Sequence, residues 1–169
     1  RVHQLAAQQH DCFLDEVQPQ LAAEGVHIMR PSEISAEQSR FLDSYFQRTL
    51  LPVLTPLAID PGHPFPHLAN RSLCLVASVR ASAASRLPET ALSVVHIPTQ
   101  VVPRFIALPA APGAHAFILL EDAIRLHLPQ IYRGYEIVSC HAVRVTRDAE
   151  LSLEAEPTRE GDSDLLTSI

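Results

Sequence analysis

The stretch 50–68, LLPVLTPLAIDPGHPFPHL, decides how the rest of this chain is arranged. It contains five of the 14 prolines in the sequence. Each proline fixes its own φ and biases the residue before it towards extended geometry, so neither a helix nor a central strand tolerates this density. We therefore expect a stiff apolar connector, extended over residues 53–59 and buried between two larger elements.

The end of this connector, residues 60–66, is expected to form an aromatic turn. Asp60 and His63 would hydrogen-bond the local backbone, while Phe65 would fill a space in the core. A metal site of Asp60, His63 and His67 is disfavoured, because the intervening prolines prevent the helix that would place both histidines on one face. We predict no metal site and assign a structural role to Asp60, His63, Pro64, Phe65 and Pro66.

Helical patterns precede the connector. Apolar residues recur at helical spacing over residues 2–24, where Pro19 should kink the helix and Gly25 should end it. Residues 26–29 are short and apolar, which predicts a first strand. Ser35 and Gln38 match a capping box for a second helix, and Pro52 should stop that helix.

Strand patterns follow the connector. Residues 72–80 alternate between apolar and polar side chains, as in a strand with one buried face. The further elements predicted are strands at 92–97, 104–108 and 116–120, a short helix at 121–128 and a long strand at 135–147. The short gap between the strands at 92–97 and 104–108 suggests that they are antiparallel neighbours.

The order of these patterns indicates an α+β fold. N-terminal helices are followed by a mixed or antiparallel sheet with one inserted helix. Neither strict βαβ alternation nor a glycine-rich turn is present, which disfavours a doubly wound fold. A length of 169 residues with 47% hydrophobic content fits one domain with appendages.

Composition also limits the setting of the protein. Three widely spaced cysteines without a CxxC pair predict buried free thiols rather than zinc ligands or disulfides. No apolar run approaches the ~18 residues needed to span a bilayer and no signal sequence is visible, so we expect no membrane span and a cytoplasmic location. The first residue, Arg1, and an apolar helical face that begins at residues 165–169 suggest a piece of a longer protein.

The charge is unevenly distributed. The net charge is −6, but residues 71–147 hold eight arginines and four acids, whereas residues 1–70 hold four arginines and eight acids and residues 148–169 one arginine and seven acids. The central excess is compatible with an anionic ligand. Nucleic acid usually requires a stronger basic patch with exposed aromatic residues, so no nucleic-acid partner is predicted.

Arginines are the candidate phosphate-binding residues, since the sequence contains no lysine. A guanidinium fork matches a phosphate bidentately. Arg104 begins a strand, and Arg144 and Arg147 lie near the end of the last strand. Residues three apart in a regular strand face opposite sides, so Arg144 and Arg147 cannot both reach one ligand unless the strand bends. The alternative is that these arginines form intramolecular ion pairs, for instance Arg147 with Asp148.

No motif for nucleophilic catalysis is present. A nucleophile elbow and a glycine-rich phosphate loop are both missing, and the nine histidines share no common spacing. Surface or satisfied core roles are therefore expected for the histidines, and no catalytic residue is assigned to this segment.

Four stretches carry a family resemblance, in the order LTPLAIDPGHPFPHLANRSL, VPRFIALP, FILLEDAIRLHLPQIYRGYEI and RVTRDAE. In register, they resemble the middle, or head, domain of the bacterial polyphosphate kinase family. The resemblance covers almost the whole chain. It implies three parts: the end of an N-terminal helical region at 1–34, an α+β head domain at 35–148, and an acidic linker with the start of a helix at 149–169.

The resemblance also implies an activity. The family transfers the terminal phosphate of ATP reversibly to polyphosphate, through a phosphohistidine and with magnesium. In the family, the phosphorylated histidine and most ATP and magnesium contacts belong to domains that follow this segment. Neither ATP nor magnesium is therefore expected to bind to this segment alone.

We hypothesise that this segment is a scaffold that contacts neighbouring domains of the same chain and a second subunit, in a homo-oligomer such as a dimer. Polyphosphate is a candidate ligand of its arginines. The alternative is a free-standing anion-binding or regulatory module without catalysis. A reading frame that continues past Ile169 into histidine-containing catalytic domains would favour the first hypothesis over the second.

Overall fold

The computed structural model describes residues 1–59, 68–81 and 90–146. Three predicted features lie outside these ranges. They are the turn containing Asp60, His63, Pro64, Phe65 and Pro66, the candidate Arg147, and the acidic linker with its following helix.

A continuous helical segment begins the chain, as its apolar spacing predicts. Helix α1 (Val2–Cys12) continues through a π-helical turn (Phe13–Val17) into α2 (Gln18–Ala23). The wider turn lies just before Pro19, which has no N–H to donate, and the Gln18 amide donates to the carbonyl of Phe13, five residues back. Gly25 then ends the helix with a φ of 78°, a left-handed conformation that glycine adopts readily.

The second helical segment has the capping box that the sequence predicts. At the start of α3 (Ala36–Tyr45), the Gln38 amide donates to Ser35 Oγ at 3.2 Å, and the Ser35 amide donates to Gln38 Oε1 at 3.0 Å. The chain continues through a π-helical turn (Phe46–Leu50) and a 3₁₀ turn (Leu51–Val53) that contains Pro52. The buried apolar side chains of this segment are Leu42, Phe46 and Leu50.

Two sheets follow from the strand pairing. The strands are β1 (Val26–Met29), β2 (Pro56–Ile59), β3 (Leu73–Ala81), β4 (Thr90–His96), β5 (Phe105–Leu108), β6 (His115–Leu119) and β7 (Tyr135–Arg144). The first sheet has the order β1-β6-β5, with β1 parallel and β5 antiparallel to β6. The second sheet has the order β2-β4-β3-β7 and is antiparallel throughout. The α+β prediction is therefore confirmed.

The inserted helix lies between the last two strands. It consists of α4 (Leu120–Leu126) and a short α5 (Leu128–Ile131). Both helices, α3 and both sheets contribute to one main core, whose largest buried side chains include Phe46, Leu75, Ile97, Ile118 and Ile124.

The expected pairing of the strands at 92–97 and 104–108 is wrong. β4 pairs with β2 and β3, whereas β5 pairs with β6 in the other sheet. The amides of Val101 and Val102 both donate to the Pro98 carbonyl, at 3.0 and 2.9 Å, in a turn between the two strands. This turn carries the chain from one sheet to the other instead of folding it back as a hairpin.

The connector is less buried than its apolar sequence suggests. Leu54 and Leu68 are buried at its two ends, but Pro56, Leu57 and Ala58 in β2 are exposed. Proline has no N–H for a strand ladder, which favours a sheet edge, and β2 is indeed an edge strand. The expected burial between two elements is therefore wrong for β2.

Strand β3 is buried on both faces rather than on one. Leu75, Ala77 and Val79 are buried on one face, where Leu75 belongs to the main core, while Cys74 on the other face is fully buried with Leu68 and Val94 in a second, smaller cluster. The predicted buried thiol is thus confirmed for Cys74. Cys140 is half-buried, and Cys12 is exposed on the first helical segment, so the prediction was wrong for Cys12.

Candidate anion-binding site

A pocket of about 380 Å³ lies where β3 begins and β7 ends. Its lining includes the side chains that could bind an anion, namely Arg71, Arg104, Arg144, His96, Ser72 and Thr99. Guanidinium, imidazole and hydroxyl groups can all donate hydrogen bonds. We call this feature the arginine pocket.

Pairing between β3 and β7 brings two of these arginines together. Arg144, the last residue of β7, is opposite Leu73, the first residue of β3. Just beyond the strands, the Arg71 amide donates to the Val145 carbonyl at 2.7 Å, and the Val145 amide donates to the Ser72 carbonyl at 3.0 Å. These bonds hold Arg71 and Arg144 at the same end of the sheet, although they are far apart in sequence.

Arg71 has an unusual backbone conformation. Its φ is 62°, and among the described residues it is the one non-glycine residue with a positive φ. Such a conformation costs on the order of 1 to 3 kcal/mol, and residues that adopt it cluster at functional sites. At this position it places an arginine at the rim of the pocket.

Arg104 is held by a buried carboxylate. Its Nε donates to Glu121 Oε1 at 3.1 Å and its Nη2 donates to the same oxygen at 2.5 Å. Glu121 is buried at the start of α4, and its hydrogen bond raises the pKa of Arg104 above its ordinary value. The Arg104 carbonyl accepts from the Leu120 amide at 2.7 Å, which fixes the backbone as well. Arg104 is therefore a positioned group whose charge is largely compensated.

The remaining charge of the arginine pocket comes from Arg71 and Arg144. Both side chains are exposed, and no residue in the described part of the chain forms an ion pair with either of them. Arginine is charged at any ordinary pH, so the pocket carries two positive charges that no carboxylate of residues 1–59, 68–81 or 90–146 compensates. This arrangement can bind an anion.

The structure brings two of the three predicted phosphate-binding candidates together. Arg104 and Arg144 line the same pocket, while Arg147 lies outside the described residues. The alternative prediction of ion pairing applies to Arg104, through Glu121. Arg71 and His96 were missed, since only the pairing of β3 with β4 and β7 reveals that they share a pocket with Arg144.

Among the histidines, His127 has the satisfied core role expected of it. Its ring lies 4.4 Å from that of Phe46 in a stacked arrangement, and its Nδ1 is 2.7 Å from the Ala123 carbonyl. Its Nε2 is 3.0 Å from Asp43 Oδ1. Both nitrogens are therefore engaged, which leaves neither for a nucleophilic role.

Comparison with known proteins gives consistent matches. A family model described as the polyphosphate kinase middle domain matches residues 37–169. A polyphosphate kinase of Neisseria meningitidis serogroup C is 34% identical over 154 residues, which cover 90% of this chain and 22% of that protein. A polyphosphate kinase of Bacillus cereus is 37% identical over 161 residues, covering 95% of this chain and 23% of the relative.

A solved structure supports the fold. The crystal structure of polyphosphate kinase from Porphyromonas gingivalis matches with a TM-score of 0.77 at 21% sequence identity, over 86% of this chain and 24% of the other. The chain thus spans between a fifth and a quarter of the length of these relatives.

Proposed function

The chain belongs to the polyphosphate kinase family through its middle domain, and from this premise we propose that it forms part of an enzyme that transfers the terminal phosphate of ATP reversibly to polyphosphate. The match of the family model over residues 37–169 is the observation that carries the proposal. Transfer would pass through a phosphohistidine and use magnesium, in a cytoplasmic enzyme. Residues 1–34 would be the end of an N-terminal helical region and residues 35–148 the α+β head domain. Residues 149–169 would be an acidic linker and the start of a helix.

In this proposal the segment is a scaffold and not the catalyst. The chain has no lysine to hold a phosphate, and its buried histidine, His127, is engaged at both nitrogens. Within residues 1–59, 68–81 and 90–146, no three His, Cys, Asp or Glu side chains are grouped as a metal site would need. No step through magnesium is therefore assigned to these residues.

The first helical segment supports a role in assembly. No residue of α1 is buried against the described part of the chain. Val2, Leu5, Phe13 and Val17 are exposed by 79, 58, 40 and 40%, respectively. An apolar helix face of this kind marks an interaction surface, and the proposed partners are neighbouring domains of the same protein and a second subunit.

A second candidate function rests on the arginine pocket. Arg71 and Arg144, which form no ion pair within the described ranges, would also suit a free-standing module that binds anions without catalysis. The two functions differ in whether the protein turns over ATP.

The experiment is a turnover assay on a longer protein that contains this chain. Incubation with magnesium and ATP labelled in the terminal phosphate should give labelled acid-insoluble polyphosphate. Incubation with ADP and polyphosphate should give ATP. A longer protein that binds polyphosphate but catalyses neither direction would refute the enzymatic proposal and leave the binding module.

One finding bears on the membrane. No helix in the described ranges is long and apolar enough to cross a bilayer.

A further inference from the structure

We propose that the arginine pocket binds a chain of condensed phosphoryl groups through Arg71 and Arg144, with Arg104 as a third, fixed donor. The identity of the ligand as a phosphate chain rests on the proposed function. That the ligand should be an anion with several charges is inferred from the charged side chains of the pocket.

The charges of the pocket favour a polyanion over a single phosphate. Arg104 is neutralised by Glu121, but Arg71 and Arg144 have no carboxylate partner among the described residues. Each guanidinium presents a planar fork that can bond two oxygens of one phosphoryl group. The guanidinium groups of Arg71 and Arg144 are therefore best matched by a ligand with negative charges on successive phosphoryl groups.

The size of the pocket agrees with this ligand. Its volume of about 380 Å³ lies within the range of ~300–1,000 Å³ that is usual for small-molecule sites. If a water-sized group occupies about 30 Å³, the five heavy atoms of one phosphate fill less than half of the pocket. Room remains for a second phosphoryl group.

The structure also prepares the arginines for binding. Arg71 is held in a left-handed conformation by the bond from its amide to the Val145 carbonyl, and Arg104 is held by Glu121. The side chain of Arg104 is already positioned and loses less conformational entropy when a ligand binds. The hydrogen bond of Arg71 fixes its backbone, which places the residue at the pocket, so Arg71 is a phosphate-binding residue in this proposal beside Arg144.

The test is a titration of the chain with tripolyphosphate, with ATP and with inorganic phosphate, at low and at physiological salt. Tripolyphosphate should bind more tightly than inorganic phosphate, and its affinity should fall steeply as salt rises, because these groups are exposed and screened within ~8 Å at physiological ionic strength. Equal affinity for ATP and tripolyphosphate would identify the triphosphate tail as the recognised part. Weaker binding of ATP would identify free polyphosphate as the source.

Substitutions locate the binding in the pocket. Arg71→Asn keeps a residue type that tolerates left-handed geometry, and Arg144→Gln keeps a polar side chain at the exposed end of β7. Each should weaken tripolyphosphate binding about tenfold, the effect of one charge-assisted hydrogen bond. Arg144→Lys, which keeps the charge but loses the fork, should fall between Arg144→Gln and the unchanged chain.

Arg133→Gln is the matched control. Arg133 is exposed and precedes β7, whose ten residues place it about 30 Å from Arg144 at the usual rise per residue. This variant makes the same change in net charge and should leave the affinity within a factor of two. Equal losses in all three neutralised variants, or no binding at low salt, would overturn the proposal.

The result is independent of the turnover assay. If tripolyphosphate binding depends on Arg71 and Arg144 but a longer protein shows no turnover, binding at the arginine pocket is supported and the enzymatic function is refuted. Suppose instead that a longer protein turns over ATP and that neither Arg71→Asn nor Arg144→Gln changes tripolyphosphate binding. This result would refute binding at the arginine pocket and support the enzymatic function. A melting curve is recorded for each variant. If it matches that of the unchanged chain, the loss of binding is not caused by a loss of folding.

Discussion

Gln38 connects two distant parts of the chain through a single side chain. Its Oε1 accepts the Ser35 amide at the start of α3, and its Nε2 donates to the Pro109 carbonyl at 2.9 Å. The side chain is buried, so the loss of these bonds leaves polar groups without water or partner.

Three replacements separate the contributions of these bonds. Ser35→Ala removes the cap hydroxyl and should cost about 1 kcal/mol of the free energy of unfolding. Gln38→Ala removes both bonds of the side chain and should cost about 2 to 3 kcal/mol. Gln38→Glu keeps an acceptor for Ser35 but cannot donate to Pro109, so it should also be destabilising. Urea unfolding measures all three, and a harmless Gln38→Glu would show that the Pro109 bond does not contribute.

Buried ionisable groups predict a loss of stability at alkaline pH. Burial raises the pKa of the thiols of Cys74 and Cys140, and also that of the Tyr132 hydroxyl. The unfolded chain therefore loses these protons first, so the stability is complete below about pH 8.5, the ordinary pKa of a thiol, and falls as the pH rises above it.

Unfolding in urea at pH 7.5, 8.5 and 9.5 tests this dependence. Cys74→Ala should lower the stability at every pH but reduce its decline above pH 8.5. Cys12→Ala, which replaces an exposed cysteine, should leave the decline unchanged. Parallel curves for the unchanged chain and Cys74→Ala would show that Cys74 does not contribute to it.

At the scale of elements, the turn at Gly25 joins the first helical segment to the sheet. The Gly25 carbonyl accepts from the His115 amide at 2.7 Å, beside the parallel pair of β1 and β6. A side-chain carbon at Gly25 would lie 3.2 Å from the Gly113 carbonyl oxygen, whereas one at Gly134 would have no atom of the described residues within 4 Å. Both glycines have a positive φ, of 78° and 84°.

Two alanine substitutions therefore form a matched pair. Gly134→Ala should cost about 1 to 2 kcal/mol, the penalty of the left-handed conformation alone. Gly25→Ala pays the same penalty and must also displace the backbone at Gly113, so it should cost about 1 kcal/mol more. Thermal melts of both variants measure the difference. Equal melting temperatures would show that the loop at Gly113 moves freely.

The starts and ends of helices that depend on neighbouring residues could be predicted from the sequence. The pairing of the strands could not. The capping box of Ser35 and Gln38 depends on residues three apart, and the end of the first helical segment depends on Gly25 alone. By contrast, Pro98 and Pro103 mark a turn without showing which sheet the chain enters next. The pairing of β4 with β2 and of β5 with β6 depends on how the two apolar faces fill one core.

The same distinction applies to the arginine pocket. Arg104 and Arg144 are candidates for phosphate binding from the sequence because Arg104 begins a predicted strand and Arg144 lies near the end of another. Arg71 follows no periodic pattern, and its positive φ appears only when its amide meets Val145 across the sheet. The ion pair of Arg104 with Glu121 likewise needs the contact between Arg104, just before β5, and the start of α4, which no local rule gives.

At the scale of the whole molecule, the exposed face of the first helical segment predicts association. Phe13→Glu should shift the protein towards monomer in sedimentation experiments, because it places a charge on the apolar face. Gln4→Glu makes the same change in charge on the opposite face of α1 and should leave the association unchanged. A chain that is monomeric at high concentration before any substitution would contradict the assembly role.

The chain belongs to the polyphosphate kinase family through its middle domain, and we propose that it does not perform the chemistry itself. The most direct test measures magnesium-dependent synthesis of polyphosphate from labelled ATP by the 169-residue chain alone, beside a longer protein that contains it. We expect product from the longer protein and none above the blank from the chain. Turnover by the purified chain alone would contradict this proposal.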